Sequence, residues 1–565
     1  MSVITKTKPL LRIELPPLKQ AQLVTLDGHE EFNNEFQFTL QVSSPTNIPA
    51  TSLLEKNASI AIQADDNLPP RWINGIITQA SRDLDTPHQH HQYTLRLEPE
   101  FTLLKHTSNC RLFHQQTITN IIATLFHEHG IQACASHLLQ QSTDPIMHCT
   151  QYNESGYDFI KRLLAENGIS YFYQHSNNSH ILTLVDDLSA LEVTQKPIPL
   201  MQQQPSPHMF KERTITADTL SLGDYDYTQA SSAIKLRTET NVEQSLQLNQ
   251  PLDQFQYPAE PDLEAALKQL SQRHHHVQQL QMQHQGKSTN THLTTGQQFQ
   301  IDSTENPGQW AVMRLYHRAE DRQMRPSQSK LDSASMHYEN EFCCIPATTP
   351  IAREPRQPPS IQGSQTATVI GIDQSPIETD GLARIKIQFH WQNSADQSQA
   401  RWVRVKQLLA GSQWGALFLP RIGSEVVVEF INGNPNRPVV VGQAFNSKEN
   451  TAYPPQQDEI SGIKLNSFNR NSTVYNAIEF NDQPDSQALS FYAGKTLDID
   501  INHNHVQQTG YNYSITSNTG NQREEAKNRI SISSKQHMTL SCTGSKIILN
   551  DQGISLDGAV ININA

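Results

Sequence analysis

Residues 365–391 read QTATVIGIDQSPIETDGLARIKIQFHW, and residues 401–446 read RWVRVKQLLAGSQWGALFLPRIGSEVVVEFINGNPNRPVVVGQAFN. From Arg384 to Trp391 the side chains alternate. Ile385, Ile387, Phe389 and Trp391 share one face; Arg384, Lys386, Gln388 and His390 share the other. A period of two marks a half-buried strand. Val403 and Val405 repeat it, and so do Val426, Val428 and Phe430. Asn432-Gly433-Asn434-Pro435 then reads as the turn of a hairpin that returns through Pro438–Val441. About five such strands in roughly 80 residues fit a small closed barrel of the OB type.

The rest of the chain is too long for one core. At 565 residues it exceeds the roughly 250–300 residues at which single cores stop growing. Its formal net charge is −13, and only 18% of its residues are charged. That balance argues against a nucleic-acid binder, which needs a basic footprint. The cysteines Cys110, Cys134, Cys149, Cys343, Cys344 and Cys542 form no C-x-x-C pair and are expected to be buried free thiols. The first residues, MSVITKTKPLLRIELPP, lack an apolar core, so no secretory signal is expected. No apolar run reaches the ~18–20 residues of a membrane span.

Residues 1–105 read as strands, with Phe36, Phe38, Leu40 and Val42 alternating, followed by Trp72–Thr78 and Tyr93–Leu97. Residues 106–190 change character. Thr117 is placed to cap a helix bearing Ile118, Ile121, Ile122, Leu125 and Phe126, with Gly130 as its stop. Ser155 and Asp158 form a capping pair before Phe159, Ile160, Leu163 and Leu164, with Gly168 as the stop. A hairpin over Ile169–His175 and His180–Val185 follows. In the mixed module 191–345, a long helix is expected from Asp262 to Gln285, stopped by Gly286. It carries Leu263, Ala266, Leu267, Leu270, Val277 and Leu280. Five prolines at 346–360 predict a stiff extended linker between the hub at 1–345 and the barrel at 361–446.

Residues 447–565 hold short alternating segments: Leu497–Ile501, Ser531–Ser533, Met538–Ser541, Ile547–Leu549, Ile554–Leu556 and Val560–Ile563. Each has one apolar face and is too short to bury it alone. Copies wound together would place the apolar rows on a shared axis. The stretch 507–527 interrupts the pattern. The chain closes on Val560, Ile561, Asn562, Ile563, Asn564 and Ala565, a strand end with neither charge nor proline to blunt it and hence a docking edge for a partner.

No catalytic, cofactor or metal site emerges. His127 and His129 lie about 200° apart on a helix, whereas a helical zinc pair needs positions i and i+4. His274, His275 and His276 point in successive directions about 100° apart. These, and His88, His90 and His91, read as surface. Gly286-Lys287-Ser288 and Gly494-Lys495-Thr496 imitate the end of a phosphate loop, but Gln281 and Leu489 stand where its first glycine belongs.

Several words, in this order, resemble VgrG, the spike family of bacterial type VI secretion systems related to phage tail hubs and needles. They are Pro358–Ala367, Ile387–Trp391, Arg401–Val405, Leu419–Val426, Gly433–Pro438 and, further upstream, Tyr152–Leu164. The chain departs from the family at Ala383, where glycine is usual, and at Gln392, Asn434 and Asn436, where aspartate is usual. The resemblance implies a mainly β chain with a minor α/β part. Its hub would hold two β-barrel-like modules (1–105 and 191–345) and a helical insert (106–190), followed by a central OB-fold barrel and a C-terminal trimeric β-prism or needle. It implies a homotrimer on an Hcp-like hexameric tube among baseplate components, with a PAAR-like tip protein on Val560–Ala565 and an unidentified effector cargo. Such a spike is assembled in the cytoplasm, is exported through the apparatus rather than by a signal peptide, and meets membranes only by puncture. The resemblance also implies no cofactor, no lysozyme domain between barrel and needle, and no fused effector after Ala565. Two other classes compete: a hydrolase with an unrecognised site, and an OB module for single-stranded nucleic acid, for which Trp402 and Trp414 are left open as stacking platforms.

Overall fold

The structure is a computed structural model. It describes residues 11–561 apart from 64–68, 84–89, 142–143, 195–201, 204–205, 208, 213, 241–251, 260–261, 302–307, 322–335, 354–355, 373–374, 393–399 and 469–472. Two compact units emerge, Met1–Asp458 and Glu459–Ala565.

In the first unit, alternation became strand as expected. Gln37–Ser44 buries Phe38, Leu40 and Val42 completely, and Arg71–Arg82 and His91–Glu98 pair beside it. The expected modules do not close separately. Strands from 11–98 and from 192–346 join in one twelve-stranded sheet, linked where Gln22–Glu31 pairs antiparallel with Gly308–Asp321. The pairing spans nearly 300 residues of sequence, so no local pattern announces it.

Helix α1, Ile118–Glu128, starts where Thr117 Oγ1 accepts from the Asn120 N–H at 3.3 Å. Helix α2, Gly156–Glu166, starts where Ser155 Oγ accepts from the Asp158 N–H at 3.0 Å and donates to its carboxylate at 2.7 Å. Gly130 and Gly168 follow them at φ +66° and +71°, the left-handed turn that ends a helix. Both apolar faces enter the main core. The expected hairpin forms as Ser170–His175 antiparallel to His180–Val185, with His175 opposite His180.

Helix α3, Leu263–Gln281, is capped by Asp262 but ends four residues earlier than expected. His284–Ser288 is instead a strand, paired with Met336–Pro346, and Gly286 lies against the Phe342 ring, where a side chain would not fit. Tertiary pairing therefore overrides the helical pattern. Ala266, Leu270 and Val277 are buried, but Leu263 and Leu267 are exposed. The proline-rich linker is also not free-standing. Ile351, Ala352 and Arg353 are buried, Arg353 covers the Tyr171 ring, and Arg356 pairs with Asp158 of α2 at 3.1 Å.

The barrel closes as Gln365–Ile370, Ile385–Phe389, Arg401–Val405, Pro438–Ala444 and Glu425–Phe430. Ile385, Ile387, Phe389, Val403, Val426, Val428 and Val440 fill it. Asn432 and Gly433, at φ +53° and +73°, make the tight return. Ala383 also has a positive φ, +55°, in a turn where the Asp380 carboxylate accepts from the Leu382 and Arg384 N–H groups at 3.0 Å each. A left-handed alanine is strained in a way that glycine is not. Ala383→Gly is therefore expected to stabilise the fold by about 0.5–1 kcal/mol, read as a higher urea midpoint. An unchanged or lower midpoint would show that the turn carries no strain.

Candidate functional site

The first unit is held together by a seam between barrel and hub. The turn at 431–437 supplies most of it. Arg437 reaches the hub carboxylate Asp224, its two guanidinium nitrogens on the two oxygens, and donates to the Ala259 carbonyl at 2.8 Å. Asp224 is only 4% exposed, so this pair is desolvated, and a cut on either side strands a charge. Thr150 of the insert donates to Asn436 at 2.9 Å. Arg401 braces the turn from inside through the Pro435 and Asn436 carbonyls at 3.1 and 2.7 Å, and burial pulls its guanidinium down to about 10. At the barrel entrance Gln365 donates to Tyr152 at 2.6 Å and accepts from Trp391 Nε1 at 3.1 Å. On the flank, Tyr227 lies under Arg404 and accepts from Arg384 at 3.2 Å. The Gly433–Pro438 word thus both turns the chain and plugs the barrel into two parts of the hub.

The hub beneath is stiffened by two buried charge clusters. In one, Glu30 pairs with Arg71 and accepts from His317 Nε2 at 3.0 Å, while His317 Nδ1 meets Tyr338 at 2.8 Å. Burial alone would raise the Glu30 carboxyl; Arg71 and the His317 hydrogen bond outweigh it and hold it far below the usual range. In the other, Glu35 accepts from Tyr157 and, at 2.7 Å, from Tyr171. Lys161 stands 3.3 Å from Glu35, and burial draws its amine down to about 8 against the pull of that carboxylate.

The second unit is built the other way round. Ile460–Asn466, Tyr475–Asn481 and Ala488–Tyr492 form one three-stranded sheet, and Met538–Cys542, Ser545–Asn550 and Gly553–Gly558 another. In the first, Ile463, Ile478 and Phe491 stand in register across one face, beside Leu465, Phe480 and Leu489. In the second, Leu540, Ile547 and Leu556 do the same beside Met538, Leu549 and Ile554. Yet Ala477 alone is buried among the described residues of this unit. Leu497–Ile501 and Ser531–Ser533, expected as strands, form no strand ladder among the described residues, and Ile499 and Ile532 are exposed. Two sheets each presenting a whole apolar face to water are incomplete as they stand.

Of the terminal residues expected to dock a partner, Val560 and Ile561 are exposed and lie beyond the last described strand. Asn562, Ile563, Asn564 and Ala565 lie outside the described residues. His127 and His129 are surface groups, but His274, His275 and His276 are half-buried along α3, and His88 falls outside the described residues. Among the described residues no group of three or more His, Cys, Asp or Glu is placed to hold a metal, and no helix is long and apolar enough to cross a membrane. All six cysteines are free. Cys149, Cys343 and Cys344 are buried, and burial pushes the Cys149 thiol up to about 12. Contrary to expectation, Cys542 is exposed and Cys110 and Cys134 are half-buried. In the barrel, Phe389 and Trp391 stack on each other at 5.2 Å as part of the core. Trp402 is half-buried under Lys386, and Trp414 is exposed.

A wide-sheet hub carrying a plugged-in OB-type barrel, followed by open sheets with apolar faces, defines a tail-hub class of protein. The chain belongs to the phage tail baseplate hub family, whose model matches residues 29–323. A second model, the type VI secretion system and phage-baseplate injector OB domain, matches residues 365–445. Among relatives, the type VI secretion system spike protein VgrG1b of Pseudomonas aeruginosa is 28% identical over 542 residues, covering 91% of this chain and 71% of that protein. The actin cross-linking toxin VgrG1 of Vibrio cholerae is 27% identical, covering 97% of this chain but only 50% of the toxin. Among solved structures, an E. coli type VI secretion component described as similar to T4 tail proteins gp27 and gp5 shares the fold. Its TM-score is 0.52 at 19% identity, over 77% of this chain and all of that one. A Francisella PdpA–VgrG complex aligns with TM-score 0.56 at 10% identity, over 97% of this chain and 87% of that one.

Proposed function

We propose that this chain is the structural spike of a type VI secretion system and that three copies build it. The apolar faces of the second unit carry the reading. They gain a core when copies wind together, and three copies give every row the same partner. The hub then sits on an Hcp-like hexameric tube among baseplate components, the barrel forms a collar, and the wound unit forms the needle. The role is mechanical, not catalytic: a contracting sheath drives the spike through a membrane, and the buried charge clusters and the Arg437–Asp224 plug keep the hub and barrel from shearing apart. The spike is assembled inside the cell and leaves through the apparatus with its cargo.

Strains lacking the chain are expected to stop releasing the tube protein into the medium. The full chain should restore release, and a chain ending at Asp458 should not. Release that continues without the chain would remove it from the apparatus.

At the far end, Val560–Ala565 would offer open strand edges to a PAAR-like tip protein. Deleting these six residues should leave the assembly mass unchanged and abolish capture of the tip protein in a pull-down. Capture with unchanged affinity would move the docking surface elsewhere.

A further inference from the structure

In the helical insert, Asn109–Gln116 pairs antiparallel with Ile146–Glu154, and the register sets His114 directly opposite His148. The two histidines are 34 residues apart in the chain, so no spacing in the sequence announces them. Their ring centroids lie 4.9 Å apart, the planes tilted by 30°. The two Nδ1 atoms stand 3.3 Å apart, and His114 Nδ1 is also 2.8 Å from the Met147 carbonyl oxygen. A carbonyl only accepts, so His114 carries its proton on Nδ1, and the Nδ1 of His148 offers that proton a bare lone pair. Two imidazole nitrogens and a carbonyl oxygen thus converge on one proton. Nitrogen ligands of this kind suit a borderline divalent ion.

The spacing decides which ion fits. Two nitrogens each about 2.0–2.1 Å from a tetrahedral zinc stand about 3.3 Å apart. At similar bond lengths, a right-angled pair on square-planar copper stands about 2.9 Å apart. A tetrahedral pair also puts its ring centroids about 5 Å apart, close to the separation here. The edge from His114 to Met147 would have to widen by about 0.5 Å to match.

The place is both reachable and fixed. Both rings are half-buried, and Met147 is exposed. Burial, with Arg401 and His114 nearby, holds the His148 imidazole down to about 4, so at neutral pH no proton competes for it. Gln115 stands between His114 and the strand end at φ +49°, and its amide meets the Met147 sulfur at 3.8 Å. Backbone strain of this kind persists only where the surroundings hold it. Two residues beyond His148, Thr150 donates to Asn436 of the barrel, so the pair lies beside the seam.

We propose that His114 Nδ1, His148 Nδ1 and the Met147 carbonyl bind a zinc ion, water completing the tetrahedron, and that the ion pins the two strands beside the seam. Zinc takes the place of the shared proton. That proton leaves to solvent and His114 takes one up on Nε2, so both ligands stay neutral. Only three protein donors are present and the Arg401 charge opposes a cation, so binding is weaker than at a four-ligand structural site.

Full-length protein, stripped with a chelator and desalted, is equilibrated with free zinc at about 20 µM. Bound zinc is measured by equilibrium dialysis. The reaction of each histidine with diethyl pyrocarbonate is mapped by mass spectrometry. Zinc is expected to bind and to slow the modification of His114 and His148 together severalfold, while the exposed His127 and His137 react as before. His114→Gln or His148→Gln should each weaken binding by about tenfold or more. A variant with His274→Gln, His275→Gln and His276→Gln on α3 should bind as the unaltered chain does. No bound zinc at that concentration overturns the site, and so does bound zinc that leaves His114 and His148 unprotected. Undiminished binding by His148→Gln, or loss of binding in the α3 variant with the pair intact, also overturns it. Protection is read on the unaltered chain, so a variant that fails to fold leaves that result standing.

Discussion

A chain ending at Asp458 is expected to sediment as a single copy at micromolar concentrations at which the full chain sediments as three. In the unit from Glu459 onward the described residues bury only Ala477, while Ile463, Phe480, Phe491, Leu540 and Leu556 stand in water. Burying such side chains is worth about 1.5–3 kcal/mol each, and a single chain offers nothing to bury them against. The wound unit should thus hold the copies together and resist heat for kinetic reasons, since strands interlocked between chains must all part at once. A shortened chain as multimeric as the full one would place the cohesion in the hub or barrel instead.

Glu30→Gln is expected to destabilise the first unit by about 3–5 kcal/mol, because it leaves the Arg71 guanidinium buried without a counter-charge. Adding Arg71→Met should recover much of the loss, since removing both charges also removes the desolvation cost. Denaturant unfolding of the single and double variants checks this. A double variant that loses as much as Glu30→Gln and Arg71→Met lose singly, added together, would mean that the pair is not coupled.

The pH dependence of the buried titratable groups in the first unit has a definite sign. Glu30 is depressed, so its contribution is complete above the ordinary carboxylate range near 4 and is lost only as pH falls well below it. His175 and His180, held neutral by burial at about 4 and about 3, act earlier. The unfolded chain takes up their protons from about pH 6.5 downward, so stability falls as pH drops from about 6.5 towards 4. Each contributes a slope of roughly 1.4 kcal/mol per pH unit. A flat stability profile between pH 6.5 and 4.5 would contradict the buried neutral imidazoles.

What was legible in the sequence was local. The period-two faces of the barrel strands, the Thr117 and Ser155 caps and the Asn432-Gly433 return each depend on residues a few positions apart, and each is realised. What escaped is non-local. Arg437 lies 213 residues from Asp224, and nothing near either residue marks the pair. The union of the hub strands in one sheet depends on Gln22–Glu31 meeting Gly308–Asp321. Helix α3 ends early because Gln285 and Gly286 pair with Cys343 and Phe342, a competition invisible in a helical pattern. The apolar faces after Glu459 were legible for a different reason. Alternation without a core in its own chain implies a partner, and the single chain indeed leaves those faces uncovered.

The central claim is that these faces are covered by copies of the same chain. The light-scattering mass of the purified full-length protein tests it most directly. Three times the 63.7 kDa of one chain is the predicted value, unchanged on dilution through the micromolar range. A mass of one chain, with the strands after Glu459 exposed as they are here, would contradict it.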